Sequence, residues 1–78
     1  MTNLEKYNSV FCDTLQIQED QLEGLQYQGT DLWDSVGHMT LMAELEDTFD
    51  IMLETDDIVD FSSYEKGKEI LKKYEVEI

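Results

Sequence analysis

The apolar residues of this chain recur at intervals of three and four, and no proline interrupts them anywhere. An α-helix with one buried face imposes that period, whereas a half-buried strand would alternate at two. Helices are therefore expected from end to end. With only 78 residues to share, they must pack around one small core in a single domain, residues 1–78.

Thr2-Asn3-Leu4-Glu5 has the form of a capping box, with Thr2 closing the first turn and Glu5 reaching back to it. Leu4, Tyr7, Phe11 and Leu15 then form one stripe, which predicts a first helix over about residues 3–16. Residues 17–34 read as a long polar loop containing Gly24 and Gly29, with Leu22, Leu25 and Tyr27 expected to pin it to the core. A loop of this length tends to be functional or to hold a short helical turn. A second helix is expected over about 35–49. A short third one over about 56–60 opens at Thr55-Asp56-Asp57, with Ile58 and Phe61 as anchors. Ser62-Ser63-Tyr64-Glu65 reads as a second capping box, opening a last helix over about 63–74. There Tyr64, Gly67, Leu71 and Tyr74 share a face, and Lys72 and Lys73 complement the dipole of the final turn. The expected fold is all-α, a small bundle of three longer helices and one short one, with a long loop between helices one and two.

Charge narrows the function. The chain carries 19 acids against five lysines and no arginine, a formal net charge of −14. Residues 1–65 hold 16 of the acids and only Lys6, while residues 66–78 hold four lysines and three acids. Such a field repels nucleic acid and anionic membranes and attracts basic protein patches. Strong like charge also favours a monomer. No apolar run approaches the ~18 residues of a membrane span, and the N-terminal residues lack the pattern of a signal peptide. Cys12 is the only cysteine, which suits a reducing cytoplasm.

The second helix carries two stripes. Projected at about 100° per residue, His38, Leu41, Met42, Leu45 and Phe49 gather on one side, the natural core face. Val36, Met39 and Ala43 gather on another, bordered by Asp34, Glu44, Glu46 and Asp47. That second strip reads either as a docking surface for a partner with basic and apolar residues or as the edge of a wider core face. Ser35 opens the helix directly after Asp34. A serine there is a capping candidate, and the same position suits a phosphate ester, since a helix N-terminus favours anions.

The stretch Asp34-Ser35-Val36-Gly37-His38-Met39-Thr40-Leu41-Met42-Ala43-Glu44-Leu45-Glu46-Asp47-Thr48-Phe49 resembles the signature of acyl carrier proteins. The order of helices and loops along nearly the whole chain is similar too. The resemblance implies a phosphopantetheine arm attached to Ser35 by a phosphopantetheinyl transferase that uses Mg²⁺ and coenzyme A. It further implies an acyl or aminoacyl cargo held on the arm as a thioester, and a carrier that does no bond chemistry itself. Asp34, Val36, Met39, Ala43, Glu46 and Asp47 would then dock on basic patches of loading and transferring enzymes. Two departures stand out: Leu32 where the family usually has glycine, and Thr40 where many fatty-acid carriers have an acid. With Trp33 and the Tyr64-to-Gly67 spacing, they point to a specialised carrier rather than the housekeeping one.

Other readings are weaker. Ser35 and His38 are spaced like a nucleophile and its base, but no third orienting group or oxyanion donor is identifiable, and His38 is expected at the core edge. Cys12 is expected to pack as a small hydrophobe, and Trp33, Met39 and Met42 read as core or staple residues rather than cofactor contacts. The acids of residues 54–60 lack the ligand spacing and central glycine of a calcium loop, so no metal site is expected. A competing class is an acidic helical adaptor or inhibitor that binds a basic partner without any prosthetic group.

Overall fold

In the computed structural model, which describes residues 2–78, four α-helices form in the expected order: α1 Asn3–Leu15, α2 Ser35–Phe49, α3 Thr55–Asp60 and α4 Tyr64–Lys72. A 3-10 turn, Glu19–Gln21, interrupts the first loop. The fold is a small all-helical bundle. Among the described residues no helix is long and apolar enough to cross a membrane.

The ends of α1 and α2 follow from local chemistry. Thr2 caps α1 in a complete capping box with Glu5, whose carboxyl is held below its ordinary range by the Thr2 backbone and hydroxyl bonds. Both helices stop where one residue, Gln16 or Asp50, turns left-handed at φ 55° and 54°. Ile17 N then donates to Cys12 O (3.1 Å) and Ile51 N to Glu46 O (3.0 Å), and both isoleucines pack on the core. This is the Schellman stop, made here without glycine.

α1 packs directly on α2. The core takes Tyr7, Phe11 and Leu15 from α1, Leu41, Met42 and Leu45 from α2, and Tyr64, Ile70 and Leu71 from α4. Phe61 and the fully buried Trp33 complete it. Each such side chain contributes roughly 1.5–3 kcal/mol by leaving water. Phe11 is the hub: its ring lies 5.5 Å from Trp33 and 5.3 Å from Tyr64, edge-on to both. Gly67 lets α4 close on this cluster, because a Cβ there would sit 2.2 Å from both Phe61 Cζ and Tyr7 Oη. Tyr7 Oη donates to Tyr64 O at 2.7 Å, and burial drives its pKa far above the ordinary tyrosine range.

Several details depart from the sequence reading. Leu4 is 40% exposed, and Val10 joins the buried face of α1 instead. The box at Ser62–Glu65 does not form. Ser63 caps α4 by accepting from Lys66 N, so a lysine rather than a glutamate stands at the reciprocal position. α4 ends at Lys72, and Tyr74 lies beyond it. α3 begins after Glu54 with no side-chain cap. The long loop is pinned by Leu22, Leu25 and Trp33, while Tyr27 stays 36% exposed. Its backbone is stapled to the α3–α4 linker: Tyr27 N donates to Ser62 O (2.8 Å) and Tyr64 N to Leu25 O (2.9 Å). Cys12 is half-buried against the core, and burial raises its thiol pKa, with Glu19 and Asp13 adding to the shift.

Candidate functional site

The first turn of α2 is built by two close contacts. Asp34, not Ser35, is the N-cap: its Oδ1 accepts from Gly37 N at 2.8 Å, and its carbonyl takes His38 N at 2.8 Å. A carboxylate is as good a cap as a serine hydroxyl, and the backbone ahead of the helix presents Asp34 in the extended conformation a cap needs. Gly37 matters because the incoming loop crosses this turn. A Cβ on it would meet Leu32 O at 1.7 Å.

Ser35 is thereby left as the first residue of the helix, exposed, with its hydroxyl outside the capping arrangement. Its Oγ lies 3.3 Å from Tyr27 Oη, and either group can donate. An apolar cleft of about 370 Å³ opens beside it, lined by Tyr27, His38, Met39, Ile58, Val59 and Phe61. Ser35 itself belongs to the lining, which α2 and α3 share, and the buried Phe61 joins it to the core.

The second stripe of α2 is outside the core. Val36 is 76% exposed, Met39 57%, and Ala43 is exposed with them. Asp34 and Asp47 are exposed beside this strip. Glu46 is not free in the same way: it is half-buried, and its Oε2 accepts from Leu53 N at 2.8 Å, tying α2 to the α2–α3 linker. Thr40 spends its hydroxyl on Val36 O at 3.2 Å. Val59 of α3, 74% exposed, and Met52 of the linker, 85% exposed, are further apolar residues that the periodicity of α2 did not point to.

His38 is half-buried and fully engaged. Its Nδ1 receives the Trp33 indole proton at 2.9 Å, and its Nε2 meets Ile58 O at 2.8 Å. Neither nitrogen addresses Ser35, so the spacing of Ser35 and His38 does not produce a nucleophile–base pair. Among the acids of residues 54–60, Asp57 is buried and bonded to Lys73 Nζ and Tyr74 Oη of the chain following α4. Those two bonds, Lys73 first, hold its carboxyl below the ordinary range, and they raise the pKa values of Lys73 and Tyr74 in return. Among the described residues, no group of three or more His, Cys, Asp or Glu side chains is arranged to hold a metal ion.

Sequence reasoning missed the Tyr27 contact and the double engagement of His38. The Tyr27 contact and the Trp33–His38 bond depend on where the long loop returns, and the His38–Ile58 bond on where α3 packs; nothing within one turn of α2 signals either. Compared with protein-family models, curated proteins and solved structures, the chain finds no match in any of the three.

Proposed function

We propose that this chain is an acyl carrier protein that holds an acyl or aminoacyl cargo on a phosphopantetheine arm at Ser35. The observation that carries the proposal is the division of labour at the start of α2: Asp34 caps the helix, so the Ser35 hydroxyl is exposed and released from capping, with only the Tyr27 hydroxyl beside it.

The surroundings suit the group. A phosphodiester on Ser35 would lie at the positive end of a 15-residue helix, with the Tyr27 hydroxyl in reach as a donor. The cleft beside Ser35 is apolar enough to lie against an extended arm. Once bound, phosphopantetheine would supply a terminal thiol on which the cargo is carried as a thioester. Val36, Met39 and Ala43, with Asp34 and Asp47 around them, form the surface that would dock on basic partner enzymes, and Glu46 contributes less because Leu53 N already occupies it. Electrostatic steering of this kind favours fast, weak encounters, as a shuttle requires.

Intact-mass spectrometry tests the proposal directly. Wild type and Ser35→Ala are incubated with coenzyme A, Mg²⁺ and a broad-specificity phosphopantetheinyl transferase. One phosphopantetheinyl adduct on wild type and none on the variant is the expected result. No adduct on folded wild type with several transferases overturns the carrier reading and leaves an acidic adaptor that binds through α2.

A further inference from the structure

α3 has six residues and no side-chain cap, and a helix that short has almost no stability of its own. Its place is set by what grips it. From the α4 side, Lys73 and Tyr74 hold Asp57, and Tyr74 Oη accepts from Glu54 N at 3.0 Å. From α2, the one side chain hydrogen-bonded to α3 among the described residues is His38, through Ile58 O.

The two bonds of His38 fix its proton. An indole N–H only donates, so Nδ1 accepts and is bare; a carbonyl only accepts, so Nε2 carries the hydrogen. One neutral tautomer satisfies both ends, and neither the other tautomer nor the imidazolium does. The ring also lies nearly parallel to Trp33 at 6.2 Å and edge-on to Tyr27 at 5.5 Å, which leaves it little freedom to turn.

We infer that His38 is a positioning residue: a single-tautomer strut between the loop and α3 that sets the width of the cleft beside Ser35. Ile58 and Val59 line that cleft from α3 and Met39 from α2, so the His38–Ile58 bond ties one wall to the other. Without the strut, α3 keeps its α4 tethers, the Glu46–Leu53 tie ahead of it and the packing of Ile58 and Phe61, but it loses its one side-chain hydrogen bond from α2 and the apolar surface next to Ser35 loosens. The consequence for docking rests on the carrier reading of Ser35; the strut itself does not.

The test uses the full chain as wild type, His38→Gln and His38→Leu. Glutamine offers an acceptor and a donor from one side chain, whereas leucine offers neither at comparable bulk. Long-range ¹H–¹⁵N spectra of the wild-type ring at neutral pH should show a protonated Nε2 and a bare Nδ1. The opposite tautomer, or protons on both nitrogens, overturns the inference. Amide exchange at Ile58, Val59 and Asp60 should be about five- to tenfold faster in His38→Leu, as loss of one hydrogen bond implies. Exchange in α1 should hold steady, and His38→Gln should return α3 to within about twofold of wild type. Equal exchange in all three proteins, or an acceleration spread evenly over α1 and α4, overturns it. If His38→Leu does not fold, the wild-type ring spectrum and the glutamine variant decide. With a transferase, His38→Leu should raise KM several-fold at unchanged kcat, and His38→Gln should restore it. Failure of wild type to accept any arm would sink the carrier reading, while the spectra and exchange rates still judge the strut.

Discussion

Gly37→Ala places one methyl group where the loop crosses the first turn of α2. On helix propensity alone the change should help, since alanine is favoured over glycine by about 1 kcal/mol in a helix interior. The new Cβ, however, would stand 1.7 Å from Leu32 O and 3.0 Å from Leu32 C. Those are backbone atoms, and no rotamer relieves the overlap. The loop must lift, and it carries the fully buried Trp33, whose indole bonds His38 and whose carbonyl accepts Gln28 N at 3.0 Å. Overpacking of this kind costs about 1–3 kcal/mol or more, and a strained Trp33–His38 bond adds roughly 0.5–1.5 kcal/mol. The net after the propensity gain is a loss of about 0.5–3.5 kcal/mol. For a domain of this size each kcal/mol shifts Tm by roughly 4–8 °C. Thermal unfolding followed by circular dichroism should therefore show a Tm lower by about 2 °C at the least. Trp33, the only tryptophan, should emit to the red as water reaches it. An unchanged or higher Tm with unshifted emission would refute the reasoning, because it would mean the loop does not press on Gly37.

Ser35→Ala should leave Tm within about 2–4 °C of wild type, because the residue is exposed and Asp34 supplies the cap; a large fall would show that Ser35 is structural. Gly67→Ala should lower Tm despite better helix propensity, since its Cβ would meet Phe61 and Tyr7 at 2.2 Å, and the overpacking cost of about 1–3 kcal/mol exceeds the gain; thermal melts decide. For Asp57, the folded pKa is depressed, so its contribution is present above the ordinary aspartate value of 3.8 and is lost as pH falls through the lower folded value. Lys73 is the mirror case: its raised pKa gives a contribution present below 10.5 and lost as pH rises through the folded value. Asp57→Asn should therefore remove stability across the neutral range and flatten the acid limb below pH 3.8 in urea melts at stepped pH. An acid limb identical to that of wild type would contradict this.

What the sequence determined by itself lies within single turns. The three-and-four spacing marked α2 at Ser35–Phe49, the bounds it has in the fold, because core contacts of Leu41, Met42 and Leu45 repeat at the helical period. Thr2 and Glu5 announced the start of α1, since a capping box is complete within four residues. The exposed strip of Val36, Met39 and Ala43 was visible as a pattern, but whether it was surface or core edge was not. Periodicity gives the angle between two stripes, and only the neighbours that pack on a helix decide how much of its circumference they cover.

The rest needed the tertiary structure. Asp34 rather than Ser35 caps α2 because the loop, held at Leu32 and Trp33, delivers Asp34 in an extended conformation. Glu46 leaves the acidic surface for Leu53 N, His38 reaches Ile58, and Asp57 reaches Lys73 and Tyr74. The loop is stapled to residues 62–64, nearly forty positions away in sequence. Apart from the Asp34 cap, these pairings join polar groups from different segments of the chain, and no local pattern records them. Burial of Trp33, Phe11 and Phe61 fixes how the elements lie against one another, and every polar group caught between them must find a partner that this packing places in reach.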